Sequence, residues 1–200
     1  MSTDLCLVRH GESEWNYEKR IQGQLDPALT DLGRRQAQAV AERLAQGEWD
    51  LLYSSDLSRA RETAEHISRA LGLEVQLRTI LRERNQGKLE GLLSADARNR
   101  YPDFDAPEVG RETADQLKAR AAKGIGELLA EGAGKRLIAV CHGGLIRAYL
   151  QHLEENGAAV RPVNLENASV TLIRWQDGAP MAIAVNDVAH LVAKDLVRSA

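Results

Sequence analysis

The sequence predicts an α/β fold: a three-layer sandwich whose central sheet is mainly parallel, carries one antiparallel strand and is flanked by helices, with a small cap excursion. Three observations predict it. Short apolar runs alternate with longer stretches of helical periodicity, as in strand-helix units laid side by side. The apolar runs are continuous rather than alternating, as in strands buried on both faces. Near the end, two strand-like runs are separated by Asp177 and Gly178, a hairpin that sets one strand against the rest. The 200 residues, 44% of them hydrophobic, suffice for one domain over 1–200 with a cap-like insertion around 85–111, and fall short of two ordinary domains.

Residues 5–8 (LCLV) form the first strand. After a long polar loop, Thr30 caps a helix in which Leu32, Ala37, Val40, Ala41 and Leu44 recur at helical spacing as far as Gly47. WDLLYSS is the second strand, and DLSRARETAEHISRALG the helix behind it, with Leu57, Ala60, Ala64, Ile67 and Leu71 on one face. Ser55 or Asp56 caps its start and Gly72 ends it. EVQL adds a short strand. Residues 81–113 are polar and broken by Pro102 and Pro107, an excursion that is only partly helical. Helical spacing returns over 112–131 through Leu117, Ala121, Ile125, Leu128 and Leu129, and Gly132 to Gly134 close it. RLIAVCHGG is a second buried strand ending in histidine and glycine, LIRAYLQHL a helix running on from it, and ASVTLIRW with PMAIAVN the closing hairpin.

A net charge of -3 gives no basic excess, so nucleic acid is not an expected partner and any anion has to be held by locally clustered arginines. Cys6 and Cys141 lie inside apolar runs, as core residues rather than as a disulfide or metal site. No targeting segment and no apolar run of membrane-spanning length is evident, so the expectation is a soluble cytoplasmic protein with no membrane partner.

In a sheet of this kind, ligands sit at the carboxyl ends of the strands. The topology gathers Arg9 and His10 there from one strand, His142 from another, Arg59 from the first turn of a helix, and Glu83 from just past the fourth run. Two imidazoles, two guanidiniums and a carboxylate supply what phosphoryl transfer needs without a metal: a nucleophile, a clamp for the equatorial oxygens and a proton donor for the leaving alkoxide. At a helix N-terminus, Arg59 would add free backbone N–H groups and the positive end of the helix dipole to its own charge.

LVRHGESEWN, RIQGQLDPALTDLGRRQA, SSDLSRARETA, LRERNQGKLEG and VCHGGLIR, in that order, resemble the histidine phosphatase superfamily, in the branch of the cofactor-dependent phosphoglycerate mutases and their broad phosphatase relatives. The resemblance implies that His10 is the nucleophile that becomes phosphohistidine and that Arg9, Arg59 and His142 clamp the phosphoryl group. It implies that Glu83 protonates the leaving group and then activates water, and that Asn16 bonds a phosphate oxygen. Gln22 and Gly23 edge the pocket, and Gly143 follows the second histidine as the pattern asks.

The activity implied is a phosphatase acting on a small phosphomonoester, without metal or other cofactor. A phosphoglycerate mutase using the same residues is the alternative, and a non-catalytic phosphate-binding module a third. The excursion from Lys88 to Arg111 is short and has no paired arginines, which favours water as acceptor. The partner implied is a small phosphorylated metabolite, and the resemblance leaves a homodimer open. His10 has to attack as neutral imidazole, and Arg9, Arg59 and a protonated His142 are expected to keep it so. Gly11 is expected to clear space for the phosphoryl group. Arg98, Arg100 and Arg111 either meet a second anionic group or face water. Glu112, displaced by the Arg111 inserted after Gly110, stays outside the expected site, as do His66, His152 and His190, the last with the reservation that its NDVAHL segment resembles the family's tail.

Overall fold

The computed structural model describes residues 2–197, so the two ends of the domain expected over 1–200 lie outside the described residues. Six strands, β1 (Ser2–Arg9), β2 (Leu51–Ser54), β3 (Val75–Leu77), β4 (Arg136–Cys141), β5 (Val170–Gln176) and β6 (Ala179–Asp187), form one sheet in the order β3-β2-β4-β1-β5-β6. The pairings of β3, β2, β4 and β1 are parallel, and β5 pairs antiparallel with both β1 and β6. β5 is therefore the one strand running against the rest. The turn before β6 works because Asp177 and Gly178 both take positive φ, 52° and 83°, the conformation that a two-residue hairpin demands.

The helices are α1 (Glu14–Tyr17), α2 (Asp31–Leu44), α3 (Ser58–Leu71), α4 (Ser94–Arg100), α5 (Ala114–Glu131), α6 (Gly143–Glu155) and α7 (Ala189–Val192). The period of two along the strands divides the core. Leu5, Leu7, Leu137 and Ala139 face α5 and α6, while Cys6, Val8, Ile138 and Val140 face α2 and α3. All eight are buried on this two-faced sheet, each large aliphatic side chain contributing about 1.5–3 kcal/mol. Cys6 and Cys141 are free and buried, and burial pushes the Cys6 thiol up to about 12. No helix among the described residues is long and apolar enough to cross a membrane.

Three local details differ from the sequence expectation. The four-residue α1, held by a capping box between Ser13 and Asn16, lies inside the stretch expected to be a loop. Thr30 caps α2 as expected, accepting from Gly33 N, but neither Ser55 nor Asp56 caps α3. Its first N–H, on Ser58, goes to Asp26 Oδ1 at 2.7 Å, a carboxylate 32 residues upstream. The helix expected from 112 starts at Ala114, because Thr113 and Gln116 form a capping box of their own.

Between β3 and α5 the chain forms three 3-10 turns, Thr79–Leu81 directly after β3, and Gly87–Leu89 and Pro107–Val109 on either side of α4. Leu89, Ala97 and Val109 make a small core of their own, to which Ile21, Tyr101 and Phe104 add. Backbone bonds from Ile21 N to Leu92 O (2.9 Å) and from Gly91 N to Ile21 O (2.8 Å) tie this segment to the loop after β1.

Candidate active site

β1 and β4 are neighbours and parallel, yet β1 leads to α2 on one face while β4 leads to α6 on the other. A crevice opens at their carboxyl ends, where such folds place ligands. Arg9 is in register with Cys141, and His10 N donates to Cys141 O at 3.0 Å, so the two histidines that follow these strands come face to face. Their ring centroids are 5.2 Å apart, and both side chains are buried.

The His10 ring is oriented by its own backbone. Nδ1 lies 2.7 Å from Gly11 O, a carbonyl that can only accept, so the proton is on Nδ1 and Nε2 carries the lone pair. Burial first, then Arg59 and Arg9, hold its pKa well below the ordinary histidine range. His142 is held low in the same way, by burial, Arg59, His10 and Arg9. This corrects one expectation: His142 is itself a neutral ring, and desolvation, not a neighbouring imidazolium, is the main reason His10 stays neutral.

Ser55, at the end of β2, reaches His142 Nε2 with its hydroxyl at 2.9 Å. The other ring nitrogen, Nδ1, is buried and has no partner among the described residues. Arg9 Nε and Arg59 Nε are also buried without partners among the described residues. Arg59 has no exposed surface; its terminal nitrogens donate to Leu25 O and Gly23 O, both at 2.9 Å. Arg9 donates one terminal nitrogen to Leu165 O. Two guanidinium N–H groups, from Arg9 and Arg59, and the second ring nitrogen of His142 are thus left over in one buried cluster around His10, and a protonated phosphoryl group or its oxyanion is the partner that would satisfy them. The start of α3 adds its dipole, but Asp26 has already taken the first N–H that the sequence reading left free for the anion.

Glu83 stands at the start of α6: its Oε2 accepts from Gly144 N at 3.1 Å and its Oε1 from Arg84 N at 2.8 Å. A Cβ on Gly143 would come within 3.3 Å of Arg9 Nε, so this glycine lets the helix start and the arginine pack together. Gly11 has a different reason from the one expected. A Cβ there would lie 2.4 Å from Gly33 O, so its bare backbone serves the approach of α2.

Gln22 and Gly23 line the loop beside the cluster. Gln22 Oε1 accepts from Ser13 Oγ at 2.8 Å, and the backbone oxygen of Gly23 anchors Arg59. Asn16 spends its amide oxygen on protein donors, accepting from Ser13 N at 3.1 Å and from Asn167 Nδ2, just before β5, at 3.2 Å. Only its NH2 group remains to meet a phosphate oxygen.

Several residues of this neighbourhood were not anticipated. Asn167 Nδ2 also donates to His10 O at 3.1 Å, and Thr63 Oγ1 accepts from Gly11 N at 3.1 Å. Glu112, set aside on sequence grounds, accepts both Nε and a terminal nitrogen of Arg120, at 2.7 and 2.8 Å. Arg120 in turn donates to the backbone oxygens of Ile80, Arg82 and Glu83, so the pair pins the loop that carries Glu83. A cavity of about 350 Å³ leads outward from Arg9, Glu83, Gly143 and Gly144. Its outer part is lined by Arg84, Gln86, Arg111, Arg147 and Gln151. Arg98 and Arg100 do not line it; both are exposed on α4, and Arg100 lies over the Tyr101 ring.

Comparison with known proteins places the chain among relatives of one family. The model of the histidine phosphatase superfamily (branch 1) matches residues 5–188. Among curated proteins, the chain is 38% identical to phosphoglycerate mutase-like protein 4 of Arabidopsis thaliana, over 98% of this chain and 90% of that protein. It is 36% identical to a metal-independent phosphoserine phosphatase of the same plant, over 94% of this chain and 83% of that one. Among solved structures it resembles the phosphoserine phosphatase of Entamoeba histolytica in complex with phosphoserine, with a TM-score of 0.78 and 29% identity, over 94% of this chain and 99% of that one.

Proposed function

The chain belongs to branch 1 of the histidine phosphatase superfamily, and from that premise we propose that it is a metal-independent phosphatase hydrolysing a small phosphomonoester through a phosphohistidine at His10. One observation carries this reading: a neutral imidazole with its Nδ1 proton spent on Gly11, surrounded by three buried nitrogens, Arg9 Nε, Arg59 Nε and His142 Nδ1, without a partner among the described residues.

The steps follow from the atoms available. His10 Nε2 attacks phosphorus; the N–P bond forms as the ester P–O bond breaks. Glu83, in its acid form, gives the departing alkoxide a proton. Arg9, Arg59 and His142 meet the charge on the equatorial oxygens with donors already in place, so little reorganisation is needed as the transition state forms. Water then enters beside Glu83, now a carboxylate, loses a proton to it and attacks phosphorus. The N–P bond breaks and inorganic phosphate leaves. Asn16, Gln22, Gly23 and Gly143 shape the phosphoryl end, and the segment around 85–111 forms a cap over the leaving group.

A phosphoglycerate mutase would hand the phosphoryl group back to substrate from the same residues, and a stretch of 88–111 without paired arginines does not favour it. The free thiols of Cys6 and Cys141 suit a reducing cytoplasm. Edge strand β6, with Met181 and Ile183 half exposed, supports a homodimer that light scattering would detect.

The test is phosphate release from a panel of phosphomonoesters in EDTA, with His10→Ala beside the wild type. The expected result is EDTA-resistant release by the wild type alone, with an acid-labile phosphoryl-enzyme trapped on quenching. Release retained by His10→Ala, or lost in EDTA, overturns the mechanism.

A further inference from the structure

The two histidines of the cluster are one kind of ring given different partners. Both are neutral, held well below the ordinary histidine range by burial first and then by Arg59, so each has a single ring proton to place. His10 Nδ1 meets Gly11 O, which can only accept, and its free nitrogen is therefore a lone pair. His142 Nε2 meets the Ser55 hydroxyl instead, at 2.9 Å, and a hydroxyl can either give or take. The other bonds of Ser55 decide between the two. Ser55 is fully buried; its N–H donates to Val140 O at 2.9 Å, two residues ahead of His142, and its carbonyl accepts from Ser54 Oγ at 2.8 Å. Its Oγ accepts from Leu57 N at 3.3 Å, just ahead of α3, so one lone pair is already used. Among the described residues, His142 Nε2 is the only acceptor left for the hydroxyl hydrogen. With the ring proton on Nδ1, one group stays unmet, an N–H buried with Arg9 Nε and Arg59 Nε. With the proton on Nε2, two stay unmet: the hydroxyl hydrogen, and an Nδ1 lone pair among those same guanidiniums. Stranded buried donors are costly, and only the first arrangement is completed by an oxyanion.

We propose that Ser55 is a positioning residue that fixes His142 as the Nδ1–H tautomer, so that this ring gives a hydrogen bond to a phosphoryl oxygen while His10, with a carbonyl for its partner, keeps the nucleophilic lone pair. Its effect on the reaction rests on the phosphatase reading; the tautomer itself does not. Because Ser55 is tied to β4 through Val140 O and to the start of α3 through Leu57 N, it also sets the His142 ring against the helix that carries Arg59.

The test is NMR of the histidine ring nitrogens at neutral pH in the wild type, Ser55→Ala and Ser55→Thr, with His142→Gln to assign the signals, beside kinetics on an ester that the panel shows to be hydrolysed. In the wild type, His142 is expected to show a protonated Nδ1 and a lone pair on Nε2. Ser55→Ala moves the ring towards Nε2–H and lowers kcat/KM by about tenfold or more, the loss of one hydrogen bond to a charged group, and it weakens vanadate inhibition in parallel. Ser55→Thr keeps the hydroxyl and most of both properties. A wild-type ring protonated on Nε2, or a Ser55→Ala protein that retains the wild-type tautomer or the wild-type rate, overturns the proposal. The wild-type spectrum decides the tautomer even if Ser55→Ala fails to fold. No phosphate release from any ester, alongside the expected spectrum, overturns the phosphatase reading and leaves the hold of Ser55 on the ring standing.

Discussion

Replacing Gly144 by alanine separates the position of the acid from the stability of the fold. A Cβ built on Gly144 stands 2.2 Å from Glu83 Oε1 and 3.0 Å from its Cδ. Ordinary contact starts near 3.4 Å, so the carboxylate has to retreat by about 1 Å. Both of its oxygens are tethered, to Arg84 N at 2.8 Å and to Gly144 N at 3.1 Å, and the retreat lengthens the second tether. A misplacement of about 1 Å at a reacting centre costs on the order of 100-fold, within the 10²–10⁴ that a general acid supplies. The expected result is a fall of about 100-fold in kcat for an alkyl phosphate. For p-nitrophenyl phosphate, whose leaving group needs no proton, the fall is less than about threefold.

Stability moves the other way or not at all. Gly144 is the second residue of α6, where alanine gains about 0.5–1 kcal/mol over glycine, and the atom it meets is the end of a side chain. For a chain of this size, that shifts Tm by no more than about 2–4 °C. Equal losses for both esters, with a lowered Tm, would show that the methyl group disturbs the helix instead of the acid. An unchanged alkyl phosphatase rate would remove Glu83 from the mechanism.

Three further outcomes follow from the same geometry. His10 and His142 are buried neutral, so below about pH 6.5 the unfolded chain binds more protons than the native one, and stability falls with pH at up to ~1.4 kcal/mol per unit for each ring; His10→Gln with His142→Gln flattens the urea-midpoint profile between about pH 6.5 and 5, and an unaltered slope counts against neutral rings. His190 accepts from Arg43 at Nδ1 (3.0 Å) and donates from Nε2 to Ala168 O (3.0 Å), and Ala168 N donates to His10 O (3.0 Å); burial and Arg43 push its pKa down to about 4, so it holds this position at neutral pH. His190→Ala lowers kcat by about tenfold with little change in KM and shifts the His10 ring resonances, whereas unmoved resonances reduce His190 to packing. Arg120→Met strands the Glu112 carboxylate and three backbone oxygens, costing about 2–3 kcal/mol by urea unfolding together with kcat, and Arg120→Lys recovers little because an ammonium cannot span that set.

What was legible in the sequence, and what was not, divides by the range of the interaction. Strand β1 is visible as LCLV because burial on both faces leaves no polar position, and α2 is visible because Thr30, the apolar spacing and Gly47 are all local. The start of α3 was placed on the wrong cap because the atom that satisfies Ser58 N belongs to Asp26, 32 residues away, and no local pattern records it. Residue type and resemblance single out His10, Arg9, Arg59, Glu83 and His142, and the sheet order accounts for one part of that set: β1 beside β4 puts His10 against His142 although the sequence separates them by most of the chain.

The supporting residues had no such signal. Ser55, Asn167 and Arg120 are common polar residues whose role exists only in the partner they meet, 87, 157 and 37 positions away at His142, His10 and Glu83. Glu112 shows the same limit from the other side. The Gly110–Arg111–Glu112 order argues for leaving it aside, yet Glu112 pairs with Arg120 while Arg111 lines the cavity. Two neighbouring residues thus take separate roles, one bracing the acid loop and the other lining the outer cavity. The cluster around His10 is therefore legible in ordered motifs, whereas the lining of the cavity beyond it depends on how a short, irregular segment folds.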